Sequence, residues 1–413
     1  MLTKNLLPGL TQTAGFLRFM KGLIILTEKL YDLNSYLTEF TCKVVSVYSD
    51  EQYTYVETDR TAFFPEGGGQ SSDRGFLGSA YVENVQLKGG KILHYIKNDV
   101  ENVRNLTPGA EITGKIDFKK RFSDMQQHTG EHIFSGIVHS LFGFENVGFH
   151  LGTDFVTIDT SGELSDDDIC KAESLVNEAI WKNLEVRVFY PSKEELETLS
   201  YRSKKEIDGA LRIVEIPGVD VCACCAPHVK RTGEIGSFRV VKSERHRGGT
   251  RLYVLCGERN MLDTRKKLFQ NYLVSNLLVT KETETFKMVQ KLKEERAALA
   301  LENAALKREI SELKSENIES GERIVLFSDT DDMDEARSLA DRLAQKATKF
   351  AAVLFGSNHS RYVIISKTGF DLCALCKELG KRFSGRGGGR NGIVQGSLSA
   401  PEGAEEFLKE FHF

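Results

Sequence analysis

Two pairs of residues repeat a spacing that suits a metal ion. His128 and His132 lie in the segment QQHTGEHIFSG, which is predicted to be helical, so both imidazoles leave one face of the helix. Cys224 and His228 have the same spacing in CACCAPHV, before a turn predicted at Pro227. Thiolates and imidazoles are ligands suited to zinc. We therefore predict that the two pairs form one zinc site.

Two questions about this site stay open from the residues alone. Cys222 and Cys225 flank Cys224 and are alternative ligands. A closed zinc site would only brace the fold, whereas a catalytic one would leave a position for water. Eight cysteines in 413 residues are too few for a disulfide scaffold, so we expect a reducing, cytoplasmic setting.

A glycine-rich stretch, DRTAFFPEGGGQSSDRG, is the third element of interest. Gly67, Gly68 and Gly69 allow close backbone approach to a ligand, and Thr61 and Gln70 add a hydroxyl and an amide. Taken alone, this stretch is more typical of a hairpin loop than of a binding site. Its order relative to the two metal pairs is what makes it specific.

Composition describes an ordinary soluble globular chain, with 40% hydrophobic and 28% charged residues. The formal net charge of −4 predicts no global attraction to nucleic acid, so any such contact must come from local patches. No uncharged apolar run of 18 residues occurs, and we expect no membrane span.

The pattern of elements predicts an α+β fold class with several parts. We expect a small β-barrel-like domain, an α+β domain with the metal residues, a long helical segment and a C-terminal α/β domain. The first residues form an extension of doubtful status, since translation could begin at Met20. The predicted boundaries are 1–26, 27–117, 118–258, 259–320 and 321–413.

The helical segment carries heptads. Leucines recur every seven residues, with Asn303 as a polar register residue. This pattern favours a dimer zipper or an intramolecular helical hairpin; one amphipathic helix on a globular neighbour is the alternative. The repeating residues are Leu292, Leu299, Leu306 and Leu313.

The three motifs, in this order, resemble the editing region of alanyl-tRNA synthetase, and more closely the freestanding alanyl-tRNA editing proteins of the AlaX group, long form. The C-terminal domain, with SGRGGGRNGIVQGS predicted as a loop, resembles the domain that follows editing in those synthetases. The family usually has Cys-Gly-Gly-Thr-His where this chain has Cys224, Cys225, Ala226, Pro227 and His228. The ligand types and their spacing survive, but the glycines and the threonine hydroxyl do not.

The resemblance implies zinc-dependent hydrolysis of mischarged tRNA(Ala), chiefly Ser-tRNA(Ala), with Gly-tRNA(Ala) as a further substrate. It implies that Thr61 contacts the serine hydroxyl with Gln70 nearby. Either zinc or the amides of Gly67 to Gly69 would stabilise the oxyanion that develops on the ester carbonyl. No aminoacylation domain precedes residue 27, and no Asp-His-His run occurs. We therefore expect neither tRNA charging nor phosphoesterase activity. A tRNA-binding module with structural zinc and a deacylase of another aminoacyl-tRNA are the alternatives.

Two basic patches are candidates for holding the tRNA, because basic side chains beside exposed amides suit phosphate. Solvated basic turns are the alternative for each. The CxxC of Cys373 and Cys376 lies on an amphipathic helix and is interpreted as core thiols. The patches contain Arg245, Arg247 and Arg251 in the first, and Lys381, Arg382, Arg386 and Arg390 in the second.

Overall fold

Alternating apolar residues and glycine turns give the first part of the chain its strands. The chain divides into two units, one up to Gln270 and one from Asn271 onward. The predicted extension, residues 1–26, lies outside the described residues. This computed structural model describes residues 27–98, 101–203, 211–390 and 392–411.

A seven-stranded antiparallel sheet builds the start of the first unit. Its elements, with the short β1, α1 and β4 beside it, are β1 (Glu28–Lys29), α1 (Leu30–Leu33), β2 (Glu39–Ser49), β3 (Tyr53–Thr58), β4 (Arg60–Thr61), β5 (Gly75–Leu77), β6 (Ala80–Val82), β7 (Asn84–Lys88), β8 (Lys91–Lys97) and β9 (Glu111–Ile116). The strand order is β6-β5-β9-β2-β3-β8-β7. No strand pairing among the described residues joins β6 to β7, so a closed barrel remains a prediction.

The rest of the first unit places helices beside two smaller sheets. Its elements are α2 (Phe118–Phe142), β10 (Asn146–Leu151), β11 (Val156–Thr160), α3 (Asp166–Trp181), β12 (Arg187–Phe189), α4 (Lys193–Thr198), β13 (Ile213–Ile216), β14 (Asp220–Ala223), β15 (Phe238–His246) and β16 (Gly249–Cys256). One sheet has the strand order β10-β11-β16-β15, and the other has the order β12-β13-β14.

Helix α2 is the central element of this unit. Asp117 caps its N-terminus by accepting a hydrogen bond from the Lys120 amide, and Gly143 ends it with φ of 70°. Every residue from 124 to 136 is buried. A Cβ on Gly136 would lie 2.5 Å from the Val219 carbonyl oxygen, so only glycine allows this close approach. The close approach holds the helix against the turn that precedes β14.

The second unit is an α/β structure with one five-stranded sheet. The remaining elements of the described residues are α5 (Gly257–Leu277), α6 (Thr285–Glu316), β17 (Gly321–Ser328), α7 (Met333–Ala344), β18 (Ala347–Phe355), β19 (Arg361–Ile365), α8 (Leu372–Arg382), β20 (Arg386–Arg390), β21 (Ile393–Ser397) and α9 (Ala404–Glu410). The strand order of the sheet is β17-β18-β19-β21-β20, with β17 and β18 parallel and the other pairs antiparallel.

The glycine-rich segment and the heptad leucines, both in the second unit, can be compared with their predictions. The glycine-rich segment expected as a loop is instead strand β20, which pairs with β21 from Arg386 to Arg390. The heptad leucines of α6 are exposed by about half or more; Leu299, for example, is 64% exposed. The coiled coil remains a prediction. The predicted mixture of helices and sheets is confirmed.

None of the helices in the described residues combines the length and the apolar composition that a bilayer crossing requires.

Candidate metal centre

Helix α2 and the segment after β14 bring four side chains together. His128 and His132 lie on α2, while Cys224 and His228 follow β14. Their ligand atoms all lie within 4.8 Å of one another. Sγ of Cys224 is 3.6 Å from Nε2 of His128 and 3.4 Å from Nε2 of His228. These are the four residues that the spacing predicts, and they are called the metal group below.

The second ring nitrogen of each histidine has its own partner. Nδ1 of His128 lies 2.8 Å from Oε1 of Gln70, and Nδ1 of His228 lies 3.0 Å from Oγ1 of Thr129. Nδ1 of His132 lies 3.1 Å from a carboxylate oxygen of Asp220. Such bonds fix the orientation of ligand imidazoles, and here they leave the Nε2 atoms for a metal.

An ion pair between Arg202 and Asp220 lies next to the His132 ring. Nε of Arg202 donates a 2.7 Å hydrogen bond to the second carboxylate oxygen of Asp220. Burial raises the pKa of Asp220, but the bonds from His132 and Arg202 outweigh it and hold the pKa below its usual range. The carboxylate is therefore charged. Sequence reasoning missed Asp220, Arg202 and Thr129, because only the tertiary fold brings them to the imidazoles.

The electrostatics of Cys224 and His228 favour the forms of these side chains that bind metals. Burial opposes ionisation of the Cys224 thiol, yet His128 and His228 hold its pKa well below the ordinary value. Burial lowers the pKa of His228 to about 3, so this ring is neutral at pH 7. Burial also lowers the pKa of His132, but Cys222, Asp220 and Cys224 outweigh it and raise the pKa well above the ordinary value. Because a transition metal requires a thiolate and neutral imidazoles, His132 must lose a proton when a metal binds.

The two neighbouring thiols occupy different surroundings. Cys222 is buried and forms a second possible group with His132 and Asp220. Burial raises the pKa of its thiol. Cys225 is exposed and belongs to neither group of possible ligands found among the described residues. The geometry therefore favours Cys224 as the thiolate donor of the metal group.

The glycine motif forms a tight turn beside the metal group. Gly67 and Gln70 exchange both backbone hydrogen bonds, at 3.1 and 3.0 Å. Gly68 and Gly69 between them have φ of 62° and 84°, the pattern of a type I′ turn. A Cβ on Gly69 would lie 2.5 Å from the carbonyl oxygen of Phe149. The three glycines thus let the chain turn tightly enough to place Gln70 against His128.

Gln70 presents an unused donor at this point. Its side chain is buried, and Oε1 is taken by His128. Nε2 is buried and has no hydrogen-bond partner within the described part of the chain. A cavity of about 470 Å³, called the glycine cavity below, is lined by Gln70, Gly67, Gly69 and their neighbours. A buried donor without a partner beside a cavity suits a ligand oxygen.

Thr61 lies in a different hydrogen-bond network. Its buried hydroxyl lies 2.9 Å from Nε2 of His94 and accepts a 3.1 Å bond from the Phe63 amide. Nδ1 of His94 lies 2.9 Å from the Val56 carbonyl, so we assign the Nε2 lone pair to the Thr61 hydroxyl. The remaining lone pair of the threonine oxygen is its available acceptor.

Comparison with known proteins identifies the family. A model described as "Threonyl and Alanyl tRNA synthetase second additional domain" matches residues 211–253, and the "DHHA1 domain" matches residues 321–412. The alanyl-tRNA editing protein AlaX-M of Saccharolobus solfataricus is 33% identical over 241 residues, which are 55% of this chain and 98% of that protein. This chain belongs to the alanyl-tRNA editing protein family.

Two longer matches agree with the alanyl-tRNA editing family. The alanyl-tRNA editing protein AlaX-L of Pyrococcus horikoshii is 28% identical over 396 residues, covering 91% of this chain and 95% of that protein. The alanine–tRNA ligase of Pyrococcus abyssi is 28% identical over 413 residues, covering 93% of this chain but only 43% of the ligase. The resemblance drawn from the sequence motifs is thereby confirmed.

In the first basic patch, two of the three arginines form ion pairs with neighbouring carboxylates. Arg251 donates two 2.7 Å hydrogen bonds to the carboxylate of Asp159. Arg245 lies 3.4 Å from a carboxylate oxygen of Glu163. Arg247 is exposed at the tip of the β15–β16 hairpin and has φ of 49°. Of this patch, the tip arginine is the best placed to meet a phosphate.

The second basic patch, in the second unit, is more open. Arg386 and Arg390 are exposed at the two ends of β20, and neither has an ion-pair partner among the described residues. The Arg382 guanidinium lies over the ring of Phe407, 5.1 Å from its centre, and Lys381 pairs with Glu378 at 2.6 Å. The two ends of this edge strand are therefore the available cations.

Proposed function

We propose that this protein hydrolyses the ester of mischarged tRNA(Ala), chiefly Ser-tRNA(Ala) and also Gly-tRNA(Ala). The observation that carries the proposal is the buried metal group beside the unpartnered Nε2 of Gln70. The names of the related editing proteins support tRNA(Ala) as the substrate. An aminoacyl ester is already activated, so no covalent nucleophile is needed.

Zinc is the metal that we propose for this group. One thiolate and three imidazole nitrogens form a borderline-soft set that suits zinc better than Mg²⁺ or Ca²⁺. His128, His132, Cys224 and His228 would hold it. Bound there, zinc would supply polarisation of the ester carbonyl or acidification of a water molecule.

Gln70 is the residue that we assign to the reacting ester. Its Oε1 is anchored on His128, so Nε2 has a fixed direction. An N–H donor in a buried site stabilises the negative charge that develops on the carbonyl oxygen during hydrolysis. The amides of Gly68 and Gly69 form no hydrogen bonds with the described residues, so they can donate to the same oxygen. The Gly67 amide already donates to the Gln70 carbonyl within the turn, so Gly67 contributes only to the shape of the turn.

Serine selection is proposed to depend on Thr61. Because its hydroxyl donates to His94, the threonine oxygen would accept the hydrogen of the serine hydroxyl through its remaining lone pair. Thr61→Val should reduce the preference for Ser-tRNA over Ala-tRNA, and Thr61→Ser should preserve it. An unchanged preference in the valine variant would remove Thr61 from this role.

The deciding experiment is a deacylation assay on Ser-, Gly- and Ala-tRNA(Ala), with and without a zinc chelator. We expect hydrolysis of the first two substrates, inhibition by the chelator and recovery with added zinc. Cys224→Ala should lose the activity, and Cys225→Ala, which changes an exposed thiol outside the metal group, should keep it. Thermal unfolding of both variants checks that the fold survives. Full activity of Cys224→Ala would refute the proposal.

A second candidate is a tRNA-binding module whose zinc is structural. It is favoured by the number of donors, because four protein ligands fill a tetrahedral shell and leave no open position. For catalysis with all four bound, the zinc would have to expand its shell or only position the substrate. Binding of Ser-tRNA(Ala) without its hydrolysis would support this second candidate.

Three further assignments belong to the same proposal. Arg386 and Arg390 would contact the tRNA backbone, with Arg247 as a further phosphate contact. The exposed heptads of α6 would join two copies of the chain into a homodimer. Light scattering of the purified protein measures the number of copies directly. The proposed activity belongs in the cytoplasm, where aminoacyl-tRNA is used.

A further inference from the structure

A second cavity adjoins the glycine cavity in the first unit. It measures about 400 Å³ and is called the tyrosine pocket below, because Tyr53 and Tyr81 line it. The two cavities share Glu66 and Ser71 in their walls, so they form one continuous surface. Neither the metal group nor the proposed chemistry uses the tyrosine pocket.

Neighbouring aromatic rings hold both tyrosines in place. The Tyr81 ring packs edge-on against Phe76, with centres 5.3 Å apart, and is 38% exposed. The Tyr53 ring packs edge-on against Tyr95, with centres 5.7 Å apart, and is also tilted against Tyr55. Edge-on contacts fix the plane of a ring and leave its faces for another flat group.

The polar groups of the tyrosine pocket include both hydrogen-bond donors and hydrogen-bond acceptors. Asn84 accepts a 2.7 Å hydrogen bond from Ser72 through Oδ1, which leaves its Nδ2 as a donor. The exposed carboxylate of Glu66 has no ion-pair partner in the described ranges. Arg74 is exposed and likewise unpaired within those ranges, whereas Glu83 is neutralised by Lys97 at 2.7 Å. The pocket thus offers two flat rings, a donor, an acceptor and a cation.

We propose that the tyrosine pocket binds the cytosine base that precedes the terminal adenosine of the substrate tRNA. The inference rests on the proposed function, in which Gln70 contacts the reacting ester, and it places the terminal adenosine in the glycine cavity that Gln70 lines. The 3′ end of tRNA is single-stranded, and proteins recognise unpaired bases by stacking them on aromatic rings. The base next to the terminal nucleotide must then lie in an adjoining space.

The chemistry of the pocket favours cytosine over uracil. The exocyclic amine of cytosine is a donor suited to the Glu66 carboxylate. Its ring carbonyl is an acceptor suited to Nδ2 of Asn84. Uracil presents a carbonyl in place of that amine, and a carbonyl would face the carboxylate without a hydrogen bond. Arg74 would meet the phosphate that joins the two nucleotides.

Minimal substrates test the inference with the full-length, zinc-loaded protein. They are the 3′-seryl esters of adenosine, of the dinucleotide CpA and of the dinucleotide UpA. We expect kcat/KM for the CpA ester to exceed that for the adenosine ester by about tenfold or more, the gain that one stacked base brings. The UpA ester should lie between them. Equal values for the adenosine and CpA esters would overturn the inference.

Variants locate that gain in the pocket. The double variant Tyr53→Ala with Tyr81→Ala should lose the advantage of the CpA ester while hydrolysing the adenosine ester at the wild-type rate. The matched double variant Tyr53→Phe with Tyr81→Phe retains both rings and should keep the advantage. Glu66→Ala should erase the preference for CpA over UpA. A CpA advantage that persists in the alanine double variant would contradict the assignment.

A binding measurement separates this inference from the proposed function. The free dinucleotide CpA carries no ester, and isothermal titration calorimetry measures its affinity without relying on the tyrosines that the variants remove. Weaker CpA binding to the alanine double variant, but not to the phenylalanine one, supports the pocket even if no ester is hydrolysed. Hydrolysis of Ser-tRNA(Ala) together with equal CpA binding by both double variants would retain the function and overturn the pocket.

Discussion

At the scale of single residues, Gln70 combines two tasks. Its oxygen holds the ring of His128, and its nitrogen has no partner within the described residues. Gln70→Glu keeps an acceptor for the ring but removes the donor, whereas Gln70→Ala removes both. We expect each variant to lose about 10²–10³-fold in kcat, the usual cost of one oxyanion donor. Single-turnover deacylation measures this loss.

Zinc content separates the two tasks. The glutamate variant should retain zinc after dialysis, because His128 is still oriented, and the alanine variant should retain less. Atomic absorption of both dialysed proteins provides the comparison. If Gln70→Glu hydrolyses Ser-tRNA(Ala) at the wild-type rate, Nε2 takes no part in the reaction.

Asp220 is expected to tune the affinity for the metal without contacting it. It orients His132 and is itself held by Arg202. Asp220→Asn should weaken zinc binding about 10- to 100-fold, the range known for partners of metal-bound histidine. Competition with a coloured chelator measures this change. Asp263→Asn is the matched control, since that carboxylate pairs with Arg239 outside the metal group, and equal losses in both variants would contradict a specific role.

His94 should make the stability of the first unit depend on pH. Burial lowers its pKa to about 4, against an ordinary value of 6.5. Between these values the unfolded chain binds a proton that the folded chain does not, so the stability is present above pH 6.5 and falls as the pH drops toward 4. One buried histidine then costs about 2 kcal/mol on going from pH 7 to pH 5.

Urea unfolding at pH 7 and pH 5 measures this dependence. The His94→Gln variant does not titrate and should lose less stability between the two values than the wild type does. Other acidic groups titrate equally in both proteins, so the difference isolates His94. Identical losses would mean that this imidazole is not held neutral.

At the scale of elements, the burial of α2 explains why its glycines matter. Gly136→Ala should destabilise the first unit, because the new Cβ would lie 2.5 Å from the Val219 carbonyl and 2.8 Å from Cβ of Asp220. Gly380→Ala is the matched helical control, with its nearest contact an ordinary 3.4 Å. It should raise the stability of the second unit by up to about 1 kcal/mol.

Denaturant unfolding checks both substitutions. The variant of α2 should also lose zinc affinity, because a displaced Asp220 no longer orients His132. A neutral effect of Gly136→Ala on stability and zinc would show that the helix can move away at no cost.

Local patterns predict elements better than they predict pairings. The spacing of His128 and His132 defines one helix face, so the half-site on α2 could be predicted from the sequence. The partners Asp220 and Thr129 could not, because their contacts arise only when α2 packs against β14 and the segment that follows it. Strand β20 was wrongly predicted as a loop, since three glycines weaken any local signal for a strand.

At the scale of the whole molecule, the ends of β20 should dominate the salt dependence of tRNA binding. The variant Arg386→Ala with Arg390→Ala removes two cations that have no ion-pair partner in the described chain. The slope of log affinity against log salt should fall by about 2. Filter binding at several salt concentrations measures it. Lys409→Ala, whose ammonium pairs with Glu405, is the control, and an unchanged slope in the arginine variant would exclude this strand.

The family could be predicted from the order of the motifs. Which basic side chains lack an ion-pair partner among the described residues could not be predicted. Arg251 and Arg386 look alike in the sequence, since each lies in a basic, glycine-bearing stretch. In the fold, Arg251 is committed to Asp159, and Arg386 lies exposed at a sheet edge. Strand pairing between distant segments determines which arginines have carboxylate partners. The composition of each segment does not predict this pairing.

The ring partners of the three histidines have a consequence for loading of the metal. Gln70, Asp220 and Thr129 orient the imidazoles through hydrogen bonds that need no ion, so binding an ion requires little rearrangement. A zinc finger, in contrast, is unfolded until its ion arrives. We therefore expect this protein to remain folded after chelation and to bind the ion again when it is returned.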